Sequence, residues 1–191
     1  MTSPPQCRPY RIQASIKDFE VPVHKYLHQH PEISDILSAA ILIHKNRVLL
    51  VQRAADDDFP NLWEVPGGTA DRGETIVQCA VRELDEEVGL AAPTVAAMVS
   101  EYGWTASDSG GSDSQEWGVW KVFCFLVMID GANEELDLEI KLDAREHQAY
   151  LWATETDVRG GFYGDTSLNW ISSNQPQAIL AAFESARSSG C

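Results

Sequence analysis

Three glutamates, Glu83, Glu86 and Glu87, stand three and four residues apart in a stretch rich in good helix formers. On a helix that spacing turns their side chains to one face. Left alone, the carboxylates repel, and Glu74 and Asp85 add to the anionic density. Such crowding raises carboxyl pKa values unless a cation compensates it. Hard oxygen donors in this number suit Mg²⁺, with Mn²⁺ as the alternative, and Mg²⁺ keeps waters and bridges to substrate phosphates. A Glu-rich helix is by default a solvated face. Two neighbours point to a ligand site instead: the Gly67-Gly68 pair ahead of it lets backbone and ligand approach closely, and Arg82 sits where it can pair with a carboxylate and hold its rotamer.

The helix that must carry these groups spans Glu74 to Val88, where Val77, Ala80, Val81, Leu84 and Val88 recur at spacings of three and four and Gly89 supplies a stop. Upstream, Ser38–Ile43 and Val48–Val51 flank a polar His44-Lys45-Asn46 and read as a hairpin. Trp63-Glu64-Val65 leads into Pro66-Gly67-Gly68, where adjacent glycines after a proline predict a loop. Downstream, Val95–Tyr102 and Trp117–Ile129 read as strands around a Gly/Ser/Asp loop over 103–116. Leu136, Leu138, Ile140 and Leu142 alternate with Asp137, Glu139 and Lys141 as on a half-buried strand, and Ala149–Ala153 suggests another. An amphipathic helix over Pro176–Arg187 closes the chain. Without regular βαβ alternation, an α+β fold, or a sandwich-like α/β/α arrangement, is favoured over a doubly wound parallel sheet. Residues 1–37, punctuated by Pro4, Pro5, Pro9, Pro22 and Pro31, read as an extension packed on a core domain of residues 38–191. His24 and His28, four apart within it, read as a solvated face because no carboxylate pattern completes a metal site.

Gly68, five residues, Glu74, seven residues, then Arg82-Glu83-Leu84-Asp85-Glu86-Glu87-Val88-Gly89-Leu90 resembles the Nudix box at every defined position. The lead-in Leu62–Gly68 is similar too, and the layout from about Ser38 to Val158 resembles a Nudix domain less specifically. The resemblance implies an α/β/α sandwich with a mixed sheet and a loop-helix-loop metal site. It also implies a hydrolase of diphosphate linkages, usually in a nucleoside diphosphate joined to another moiety. On that pattern Glu83, Glu86 and Glu87 ligate the divalent cation with the Gly67 carbonyl, Arg82 orients Glu83, and Glu74 supports either the loop-helix geometry or a water behind the ligands. The base that activates water is Glu86, Glu87 or a carboxylate from a later loop, for which Glu146 in Arg145-Glu146-His147 is the candidate.

Arg53 and Arg72 are candidates for phosphate oxygens, and Trp104 and Trp117, with Tyr102, Trp120 and Trp152 nearby, for stacking on a base or packing on a hydrophobic tail; core or surface roles stand beside each. A nucleoside diphosphate derivative or (d)NTP is the first choice of substrate, an isoprenoid-type diphosphate the second, and a non-catalytic nucleotide- or partner-binding module the reading from a different class. With 14 Lys and Arg against 29 Asp and Glu, the net charge of −15 argues against coating a nucleic acid polymer. The longest apolar run, Val122–Ile129, is far too short to span a membrane. Four scattered cysteines and a polar N-terminus point to a reducing, cytoplasmic setting. A homodimer is left open.

Overall fold

A computed structural model describes residues 9–90, 93–104, 119–129 and 137–188. The elements are β1 (Arg11–Ile12), a 3-10 turn (Ala14–Phe19), α1 (Val23–Gln29), β2 (Ile33–His44), β3 (Arg47–Arg53), β4 (Trp63–Glu64), β5 (Gly67–Thr69) and α2 (Ile76–Val88). There follow β6 (Pro93–Trp104), β7 (Val119–Ile129), β8 (His147–Thr154), α3 (Glu155–Gly160), a small hairpin of β9 (Phe162–Tyr163) and β10 (Thr166–Ser167), and α4 (Gln175–Ser188).

The main sheet is mixed and runs β1-β6-β7-β2-β3-β4, with β5 added to β2 and β8 to β3. Strand β2 is its spine. It runs parallel to β7 from Ile33 to Leu42, then turns at Lys45 and Asn46, both at positive φ, into a tight hairpin with β3. Alternate residues of β2 serve opposite faces: Ile36, Ala40 and Leu42 pack under α2, while Ala39 and Ile41 pack on the side of α4. Two cores therefore flank one sheet, and the fold is the α/β/α sandwich expected.

Helix α2 starts cleanly because Thr75 and Gln78 form a reciprocal capping box, and it stops at Gly89, which sits in the left-handed region at φ 72. The observed helix begins two residues later than the Glu74 start read from periodicity, leaving Glu74 in the loop. Gly67 and Gly68 are not in a loop: they lie in β5, paired with Ala39 and Ser38, where close approach of chains rather than an unusual φ requires glycine.

Of the expected strand over 136–142, Leu136 lies outside the described residues and the remainder forms no strand. Its described part, 137–142, has no strand partner, and the amides of Lys141 and Asp143 donate to the carbonyls of Val88 and Glu87 at the end of α2. Alternation is still real, because Leu138, Ile140 and Leu142 pack on the core beneath α2. Periodicity reported burial there, not sheet pairing.

The N-terminal segment joins the sheet through β1, parallel to β6, and buries Ile16 and Val23 in the same core. Strand β2 crosses the 37/38 boundary. At the start of α1, Val23 N donates to Glu74 O (2.9 Å), and His24 Nδ1 lies 2.8 Å from Arg72 O. The segment thus pins the loop that feeds α2.

Candidate active site

Arg82 is the hub. Its Nε and Nη2 make a two-pronged contact with Glu74 (3.1 and 2.8 Å), and Nη2 also reaches Thr69 O (3.2 Å). Its Nη1 lies 2.8 Å from Glu83 Oε1 and 2.9 Å from Glu86 Oε2. A planar guanidinium can serve several carboxylates in one plane, which an ammonium cannot. Burial works against this charge, but hydrogen bonds to Glu74 and the field of Glu83 hold it firmly protonated. Glu74 in turn accepts from Asp71 N (2.8 Å), so loop and helix are locked to each other through one side chain.

The three predicted carboxylates differ sharply in environment. Glu83 and Glu87 are buried, whereas half of the Glu86 side chain is exposed. Burial pushes Glu83 up to about 7, opposed by Arg82 and reinforced by Glu86 and Glu146. Glu87 is likewise raised by burial, with Glu83, Glu64 and Glu146 adding to it and the Gly67 amide, 3.3 Å from Glu87 Oε2, working the other way. Among the described residues no three His, Cys, Asp or Glu side chains form a ready-made cation cage, since Arg82 draws Glu83 and Glu86 towards itself. The donor set nonetheless fits a hard divalent cation. Two buried, mutually repelling carboxylates stand beside a β5 edge so close that a Cβ on Gly68 would meet Glu83 Oε1 at 2.4 Å.

In the metal-free protein, Glu83 has a measurable signature. A carboxyl held near pH 7 against an ordinary 4.5 binds its proton more tightly folded than unfolded. Stability therefore falls as pH rises through that interval, by on the order of 3 kcal/mol from this group. Thermal midpoints in EDTA should show Glu83→Gln gaining on wild type between about pH 5 and about pH 8. Parallel midpoints across that range would contradict it.

Glu146 stands exposed in the turn before β8, within electrostatic reach of Glu83 and Glu87. Arg72 is exposed in the loop pinned by α1. Of the two roles open to Arg53, phosphate contact or a place at the strand edge, the geometry describes the second: its Nη2 and Nε bind Asp57 (2.6 and 3.0 Å) and its Nη1 binds Glu64 (2.7 Å), so its guanidinium serves carboxylates of its own chain. Trp104 ends β6, opposite Trp120. Trp117 and positions 105–116 of the expected loop lie outside the described residues. Tyr102 and Trp152 pack against the two cores.

Two buried residues escaped the sequence reading. Glu64 in β4 accepts from Arg53, and the His147 ring at the start of β8 stands between Glu64 and Glu87, with Nε2 3.3 Å from Glu64 Oε1 and Nδ1 4.0 Å from Glu87 Oε2. A signal existed for Glu64, a lone charge between Trp63 and Val65 in an apolar strand.

A sequence model described as the NUDIX domain matches residues 36–170. The CTP pyrophosphohydrolase of Escherichia coli is 32% identical over 120 residues, covering 63% of this chain and 76% of that protein. Putative 8-oxo-dGTP diphosphatase 2 of Mycobacterium tuberculosis is 26% identical over 139 residues, covering 73% and 86%. Among solved structures, a NUDIX hydrolase from Nitrosomonas europaea matches with a TM-score of 0.57 at 21% identity, over 81% of this chain and 89% of that one. That last likeness concerns the fold alone. With its box on α2 and the family's domain spanning most of its length, the chain belongs to the NUDIX domain family.

Proposed function

We propose that this chain is a divalent-cation-dependent Nudix pyrophosphohydrolase that cleaves a phosphoric anhydride bond in a small nucleotide derivative, a nucleoside diphosphate compound or a (d)NTP. The observation that carries this reading is the pair of buried carboxylates, Glu83 and Glu87, set against Gly67-Gly68 and steadied by Arg82. Such a pair is costly to keep in a binding module with no cation to hold. The named activities of the relatives, on CTP and 8-oxo-dGTP, support the nucleotide class.

Glu83, Glu86 and Glu87 would hold Mg²⁺ or Mn²⁺ together with the Gly67 carbonyl. When bound, the cation neutralises the diphosphate and acidifies a coordinated water. Arg82 keeps Glu83 and Glu86 in place and ties them to the loop through Glu74. Glu146, exposed on its turn, accepts the proton from the attacking water as the new P–O bond forms and the anhydride P–O bond breaks. Arg72, exposed on the loop held by α1, would meet a phosphate oxygen of the substrate.

No helix among the described residues is long and apolar enough to cross a membrane. Cys79 and Cys124 are buried free thiols, in keeping with the cytoplasmic setting we infer.

The test is a panel of nucleoside triphosphates, oxidised nucleotides, dinucleoside polyphosphates, nucleotide sugars and an isoprenoid diphosphate, each with Mg²⁺ and with EDTA. Cation-dependent release of a nucleoside monophosphate and a phosphate product is expected. Turnover confined to the isoprenoid compound overturns the nucleotide class. Tight binding without turnover of any compound overturns the enzyme reading in favour of a binding module.

A further inference from the structure

Buried histidines normally satisfy both ring nitrogens. His147 does not: its side chain is 1% exposed, and Nδ1 is buried with no hydrogen-bond partner. The carboxylate oxygen across from Nδ1, at 4.0 Å, is Glu87 Oε2. The other nitrogen, Nε2, lies 3.3 Å from Glu64 Oε1. Glu64 is fixed from its far side by Arg53 Nη1 at 2.7 Å, and Arg53 by Asp57.

Three adjacent strands set this line of residues. Strand β3 carries Arg53, β4 on one side carries Glu64, and β8 on the other carries His147, paired with Arg53 across an irregularity in the register. Ala54 N bonds Glu146 O (2.9 Å) and His147 N bonds Asp143 O (2.9 Å), so the turn is anchored on both flanks of the imidazole. A buried ring on an anchored turn has little freedom to swing away from either carboxylate.

We propose that His147 is a positioning residue for Glu87, the inner end of an Asp57–Arg53–Glu64–His147 line that fixes where that carboxylate is presented to the divalent cation. This rests on the reading above that Glu87 is a cation ligand. One turn then serves the site twice: Glu146 faces solvent and His147 points inward. Partners behind metal ligands act in this way, and their loss typically costs ten- to a hundredfold in metal affinity or activity.

The experiment compares wild type with His147→Ala, His147→Asn and His147→Gln. It follows Mn²⁺ binding by electron paramagnetic resonance, kcat and KM on a panel substrate, and folding by circular dichroism. The amide nitrogen of Asn falls near the place of Nδ1, that of Gln near the place of Nε2. His147→Ala should weaken Mn²⁺ binding about tenfold or more and lower kcat with KM changed by less than about threefold. His147→Asn, which keeps a polar nitrogen at the place of Nδ1 facing Glu87, should recover most of the Mn²⁺ affinity, and His147→Gln should not. The inference is overturned by a folded His147→Ala with unchanged Mn²⁺ affinity. It is equally overturned if Asn and Gln behave alike, a comparison that decides the matter even where Ala does not fold. A wild-type protein that binds no Mn²⁺ overturns the cation-ligand reading itself and this inference with it.

Discussion

Replacing Glu87 by Gln is expected to cut cation-dependent hydrolysis by at least about a hundredfold while leaving the metal-free protein as stable as wild type or more so. Both effects have one origin. Glu87 is 3% exposed, and burial plus the nearby Glu83, Glu64 and Glu146 disfavour its charge. Gln has the same shape, keeps an oxygen for the Gly67 amide and carries no charge to desolvate, so the folded chain loses a penalty. The catalyst loses the anionic donor that a hard cation needs. Glu86→Gln should separate the two effects, because Glu86 is half exposed: activity falls, yet stability in EDTA stays within about 0.5 kcal/mol. Initial rates with Mg²⁺ and urea midpoints in EDTA measure both quantities. Undiminished turnover in Glu87→Gln would remove Glu87 from the site.

What was legible in the sequence follows from what is local. The helix that carries the carboxylates is set by apolar spacing and by Gly89, all within one short stretch, and it lies where periodicity puts it apart from its first turn. The difference at that end has a local cause, since Thr75 with Gln78 makes a better cap than Glu74. Arg82 was readable as a partner of one carboxylate; its reach to Glu74 and Thr69 was not, because that depends on how the preceding loop folds back on the helix. Glu64 and His147 are 83 positions apart and meet only because β4 and β8 flank β3. No spacing rule expresses that adjacency. The 137–142 segment makes the same point from the other side, for alternating side chains describe which atoms are buried and say nothing about where amides find acceptors.

The site also changes what the net charge of −15 means. Arg82 and Arg53 are both spent on internal carboxylates, so neither guanidinium stands ready for an incoming phosphate. On the function proposed above, attraction for an anionic substrate comes from a bound cation, with exposed side chains such as Arg72 in support. Removing the cation should therefore weaken binding of the diphosphate as well as its cleavage.

The two glycines of β5 should fail in opposite ways. A Cβ on Gly67 would lie 2.7 Å from Ala39 Cα and 2.8 Å from Ser38 O, both backbone atoms of the central strand. Neither can move without prising β5 from β2, so Gly67→Ala should cost at least about 2 kcal/mol of stability. A Cβ on Gly68 would instead meet Glu83, at 2.4 Å from Oε1 and 2.7 Å from Cδ. That is the end of a side chain, and it can rotate aside. Gly68→Ala should thus fold with a urea midpoint near that of wild type, yet displace Glu83 from Arg82 and from the cation position and lose about tenfold to a hundredfold in kcat/KM and Mn²⁺ affinity. Measured side by side, the pair distinguishes a glycine kept for packing from one kept for the site. A stable Gly67→Ala, or a fully active Gly68→Ala, would show that β5 does not press on β2 and Glu83 in the way its geometry requires.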